Sequence, residues 1–279
     1  MIFRFPWARI FTAIRLTGRL WELIYGIFLP GAGCGKHGAE YGDDEARSKE
    51  ICRAGALGCL RAAGQRWVQN TVSQFFAVHP ENPQSRLIQQ AVAIIQRGGV
   101  VAYPTDSAYA LGCQLGEKKA VERIRRIRQL RDDHNFTLMC RDLSELGNYA
   151  RVDNPAYRLL RHNTPGPFTF ILEATRDVPR RLVQPKRKTI GLRVPNHAVP
   201  LALLNALDEP LMSVTLQMPG DEFPLTDPYD IREYLEHEVD LVIDGGFCGL
   251  EPTSVVDLTG SEPVVLRRGL GDLSDFEAG

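Results

Sequence analysis

The sequence predicts an α/β fold built on one twisted mixed sheet with helices packed on it, and three observations predict it. Apolar residues make up 44% of the 279 positions and charged residues 24%, the mix of a globular chain with apolar side chains enough for a sizeable core. From Val72 onward, short β-type runs alternate with segments of helical period. Near the C-terminus several strand-like runs follow one another, as a mixed sheet requires.

The elements follow from local pattern. Residues 86–97 set Leu87, Ile88, Ala91, Ile94 and Ile95 on one helical face, and Gly98-Gly99 ends the helix. Residues 100–103 form a short strand stopped by Pro104. Residues 118–130 form a basic helix with Val121, Ile124 and Ile127 turned inward. A strand at 136–140 precedes a helix that Asp142 or Ser144 caps. Residues 154–162 are helical, 168–172 extended, and a further strand within 187–194 stops at Pro195. Residues 199–207 are helical and 211–216 extended; Asp227-Pro228 opens a helix through Leu235. Strands at 240–243, 254–258 and 264–267 close the pattern.

The first 71 residues have a different texture. They carry 10 Lys/Arg against 6 Asp/Glu, a net of +4, and hold all three tryptophans; the remainder carries 23 against 28, a net of −5. Residues 10–29 are apolar but interrupted by Arg15, Arg19 and Glu22, too charged for a confident spanning helix. A secretory leader is a weaker reading, because no disulfide framework follows; an interfacial amphipathic helix is the structural alternative. The GAGCGK run at 31–36 resembles a P-loop, but Pro30 and His37 stand where that motif needs Gly and Ser/Thr. Translation beginning near Val72, from a GTG start codon, would make residues 1–71 a gene-model extension. The expected organisation is an N-terminal extension over 1–71, poorly ordered or artefactual, and a domain over 72–279 with its core at about 85–271.

Six scattered cysteines without C-x-x-C pairs read as reduced thiols in a cytoplasmic protein. No hydrolase elbow, H-E-x-x-H helix, dinucleotide glycine motif or metal-ligand cluster occurs. Loops after strand-like runs carry the polar groups instead, at Pro104–Tyr109 and at 163–169. Two windows, 118–131 and 176–193, hold 14 of the 23 cations that follow residue 71. Such asymmetry makes a field that attracts the phosphates of a nucleotide or of RNA, although a solvated helix face and a charged loop explain the windows equally well.

In order along the chain stand GGVVAYPTDSAYALG at 98–112, HNFTL at 134–138, TPGPFT at 164–169, GLRVP at 191–195, DGG at 244–246, TSVVDL at 253–258 and LRRG at 266–269. This ordered set resembles the YrdC-like family of threonylcarbamoyl-adenylate synthases, most closely its YciO branch, over about 73–276. The resemblance implies a twisted mixed sheet curved around a concave cavity of positive potential. It implies binding of ATP with Mg²⁺, L-threonine and bicarbonate, release of pyrophosphate, and a product used in tRNA modification; several members bind double-stranded RNA. Carried over, Thr105, Tyr109, Arg193 and Thr253 would bind substrate, Thr169, Thr215 and Arg267 the nucleotide, while Arg128 and Ser213 would be catalytic. Neither a protein-held metal nor a membrane is expected.

Two departures stand out. The synthase pattern K-x-R-P reads here Arg128-Gln129-Leu130-Arg131, and S-x-N reads Ser213-Val214-Thr215. Leu130 cannot neutralise phosphate, and Thr215 offers one hydroxyl where an amide offers both donor and acceptor. The expectation is therefore a nucleotide- and RNA-binding protein with weakened or altered adenylate chemistry. The alternatives are a non-catalytic double-stranded RNA-binding module in RNA or ribosome maturation and a hydrolase-like reader of the adenylate.

Overall fold

The structure, a computed structural model, describes residues 72–277 except 132, 133 and 135. The expectations for 1–71, including the P-loop-like run and the amphipathic stretch, lie outside the described residues.

Among the described residues eleven strands form one mixed sheet: β1 (Gln74–Ala77), β2 (Val101–Tyr103), β3 (Ala110–Gln114), β4 (Thr137–Met139), β5 (Ala150–Arg151), β6 (Phe168–Ala174), β7 (Thr189–Arg193), β8 (Leu211–Thr215), β9 (Leu241–Asp244), β10 (Ser254–Asp257) and β11 (Val264–Arg267). Their order is β1-β9-β2-β3-β8-β4-β7-β6-β10-β11, with β5 paired to β6. The pairs β1–β9, β2–β9, β4–β7 and β6–β10 are parallel and the others antiparallel. The helices are α1 (Ser85–Gln96), α2 (Lys118–Arg128), α3 (Leu143–Tyr149), α4 (Asn154–Asn163), α5 (Ala198–Leu207), α6 (Pro228–Leu235) and α7 (Ser274–Glu277).

Local chemistry sets the helix ends. Asp142, Asp153 and Asp227 accept backbone N–H bonds at 2.8 Å as the N-caps of α3, α4 and α6, each satisfying an amide the first turn leaves orphaned. Of the two caps the sequence offered for α3, Asp142 is used. Gly98 follows α1 at φ +82°, in left-handed backbone that glycine adopts without strain.

Strand alternation divides the side chains between two cores. On one face α1 and α5 pack over Val101, Tyr103, Leu241 and Ile243. On the other, α2, α4 and α6 bury Val121, Ile124, Leu160 and Ile231 against Leu111, Leu138, Phe170 and Leu192. Each large side chain so enclosed contributes about 1.5–3 kcal/mol. The sequence pattern misses β1, β3 and β5. In β3 the run Ala-Leu-Gly-Cys-Gln has little intrinsic strand preference, and its pairing with both β2 and β8 makes it extended.

Candidate functional site

The face of the sheet carrying Tyr103 and Met139 opens into a cavity of about 630 Å³. Because side chains alternate along each strand, the floor takes every second residue: Thr137 and Met139 from β4, Thr169 and Ile171 from β6, Gly191 and Arg193 from β7, Ser213 and Thr215 from β8. Register ties the middle together, with Gly112 opposite Ser213, Ser213 opposite Thr137, Thr137 opposite Gly191 and Gly191 opposite Ile171. Gly191 keeps the floor open: a Cβ there would stand 3.0 Å from Thr137 Oγ1 and 3.1 Å from the Phe136 carbonyl.

Cations from distant parts of the chain meet at this cavity. Arg128 reaches it from the end of α2, Arg193 from the end of β7 and Arg267 from the end of β11. Arg193 is buried, pairs with the Asp106 carboxylate and donates to Ser107 Oγ at 3.1 Å. Burial pulls the Arg128 guanidinium below its usual pKa, and its Nε is enclosed without a hydrogen-bond partner. Burial also lowers Arg267, and the like charge of Arg193 adds to the effect. An anion between these groups relieves both the desolvation and the repulsion.

Hydroxyls complete the floor. Arg267 donates from Nε to the Thr253 carbonyl and from its terminal nitrogen to Thr253 Oγ1, each at 3.0 Å, and Thr253 Oγ1 lies 3.0 Å from Thr169 Oγ1. Ser213 Oγ lies 2.7 Å from the hydroxyl of Tyr103, whose pKa burial pushes up to about 12. Leu130, Met139, Ile171, Val255 and Leu266 supply an apolar part of the lining.

Seven of the nine residues expected at the site therefore line one cavity: Arg128, Thr169, Arg193, Ser213, Thr215, Thr253 and Arg267. Thr105 and Tyr109 do not. The Thr105 hydroxyl donates to the Ala108 carbonyl at 2.6 Å and so shapes the turn that carries Asp106 and Ser107. Tyr109 is wholly buried and donates to the Gly246 carbonyl at 2.7 Å. The sequence marks the Pro104–Tyr109 loop as polar without giving Asp106 or Ser107 a binding role, and Thr137 goes unmarked although it stands inside the run 134–138. Their signal was a polar side chain within or just beyond a buried strand.

Among the described residues no group of three His, Cys, Asp or Glu side chains could hold a metal ion. No described helix is long and apolar enough to cross a membrane.

Among the described residues, arginines from three elements and several hydroxyls thus share one cavity of the sheet. The family model for Sua5, YciO and YrdC, described as telomere recombination, matches residues 93–269, and the chain belongs to that family. It is 60% identical over 205 residues to the Escherichia coli protein called uncharacterized protein YciO, spanning 74% of this chain and all of that one. The crystal structure of E. coli YciO superposes with a TM-score of 0.72 over 73% of this chain and 99% of that chain. A threonylcarbamoyl-AMP synthase of Halorhodospira halophila is 31% identical over 183 residues, 65% of this chain and 94% of that protein. Pyrococcus abyssi Sua5, solved in complex with L-threonine, matches at 27% identity and a TM-score of 0.66, over 71% of this chain and 58% of that one. The YrdC-like fold expected from the motifs is the fold observed, and the domain is related to threonylcarbamoyl-AMP synthases.

Proposed function

We propose that the cavity binds a nucleotide and that the protein carries a weakened form of threonylcarbamoyl-adenylate synthesis. The convergence of Arg128, Arg193 and Arg267 on a hollow that also contains Leu130 carries this reading. In the full reaction the threonine amine and bicarbonate give a carbamate with loss of water, and a carbamate oxygen displaces pyrophosphate from the α-phosphorus of ATP. That chemistry asks for positioning and charge neutralisation more than for a covalent nucleophile.

Arg267, Thr169 and Thr215 serve the nucleotide side, and Arg128 faces the leaving phosphates with Ser213 donating nearby. Arg193 and Thr253 hold the amino-acid side, while Thr105 acts by fixing the Asp106–Ser107 turn and Tyr109 by holding the Gly246 carbonyl. Among the described residues the donor set offers no protein cage for a cation, so Mg²⁺ would sit on the phosphates it accompanies. Leu130 removes one charge from the phosphate end, and Thr215 removes an amide; these account for the weakening.

Pyrophosphate release by the full chain with ATP, threonine and bicarbonate tests the proposal. The expected turnover is detectable but below about 1 per second; a rate at or above that level refutes the weakening.

The second reading is a non-catalytic double-stranded RNA-binding module. It is favoured by the exposure of Arg176, Arg180, Arg181, Lys186, Arg187 and Lys188, and by a separate hollow of about 510 Å³ where Arg181 meets Lys118 and Arg125. Undetectable turnover together with RNA binding that weakens as salt rises would select it.

A further inference from the structure

We propose that Tyr103 is a positioning residue that makes Ser213 a hydrogen-bond donor toward the cavity, and so fits that point of the floor to an anionic or carbonyl oxygen of the ligand. The inference rests on the nucleotide reading and adds to it the direction of one proton.

Tyr103 ends β2 and is fully enclosed, with 0% exposure. Its hydroxyl has a single hydrogen-bond partner among the described residues, Ser213 Oγ at 2.7 Å. A phenol carries one proton, and burial keeps it there. If Ser213 were the donor in this pair, the phenolic proton would be buried without an acceptor, the more costly arrangement. Tyr103 therefore donates, Ser213 Oγ accepts, and the serine proton is left to point elsewhere.

The direction open to it is the cavity, which Ser213 lines. Its neighbours across the sheet are Gly112, which has no side chain, and Thr137, with which it makes no hydrogen bond. Gly112 also makes the room for the phenol: a Cβ there would lie 2.7 Å from Tyr103 Cε1. A serine so engaged reads an oxygen that accepts, such as a phosphate or carbamate oxygen. One of its two lone pairs accepts from Tyr103, which leaves the serine proton as the part of the group that reads the ligand.

Titration calorimetry of the full chain with ATP tests this with Tyr103→Phe, Ser213→Ala and the double variant, each paired with a melting curve. Ser213→Ala is expected to raise Kd about tenfold and Tyr103→Phe about three- to fivefold. The double variant should bind no more weakly than Ser213→Ala alone, because the two act as one unit. A purely structural Tyr103 would lower the melting temperature and leave Kd unchanged, which overturns the inference. Losses that add in the double variant overturn it as well, as does a Ser213→Ala variant that binds like the parent. Failure of the parent protein to bind ATP is a separate result: it refutes the nucleotide reading itself, and the inference with it.

Discussion

The guanidinium of Arg193 is paired with the carboxylate of Asp106, and the two side chains are only 7% and 11% exposed at the edge of the cavity. The resemblance gives Arg193 a substrate-binding role, and within the chain its guanidinium is already held by one carboxylate. Such a pair holds its geometry because leaving either charge buried alone costs far more than the pair contributes. Asp106→Ala is therefore expected to lower stability by about 3 kcal/mol in urea denaturation. Asp106→Asn should recover part of that loss by keeping one acceptor for Arg193.

Leu130 and Thr215 both line the cavity. If their identities limit synthesis, Leu130→Arg with Thr215→Asn should raise the rate of pyrophosphate release by about tenfold or more, the scale on which an electrostatic contact to a transferring phosphate acts. The assay is steady-state release with saturating threonine and bicarbonate. An unchanged rate would show that the altered positions do not control the chemistry.

Thr253 links two strands and a cation through its hydroxyl, which meets Arg267 and Thr169 at 3.0 Å each. Thr253→Val preserves shape and removes both contacts. ATP affinity should fall about fivefold by calorimetry, while unfolding stability changes by about 1 kcal/mol.

Asp257 gives the pH dependence. Burial pushes its carboxyl up, but the hydroxyl and amide of Thr259 and the Arg187 guanidinium outweigh burial and hold it below the ordinary carboxylate value. Its contribution is therefore complete above the unfolded carboxylate pKa of about 3.9 and is lost as pH falls through the lower folded value. Urea midpoints of the parent and of Asp257→Asn should differ at pH 6 and draw together only as pH falls from about 4 through the lower folded value. The same ion pair ties the 176–188 segment to the end of β10.

Helices and strands with a strong local pattern were legible in the chain. Ile88, Ile95, Ile124 and Leu160 are buried at helical spacing, and Asp227-Pro228 starts α6 where the residue types place it. The ordered motifs also carried the family and most of the cavity residues. What local pattern could not supply was contact across long separations. Ser213 lies 110 residues from Tyr103 and Arg193 lies 87 from Asp106, so no window of sequence contains either pair.

The amino-acid sequence by itself determined the mixed α/β class, the helix ends and the set of arginines and hydroxyls available for binding. Only the tertiary structure decided which of them share a surface. Strand order and register, not local preference, place Thr137, Gly191 and Ser213 side by side. The same packing turns Thr105 and Tyr109 inward to backbone carbonyls, since a buried hydroxyl must find a partner wherever the fold supplies one.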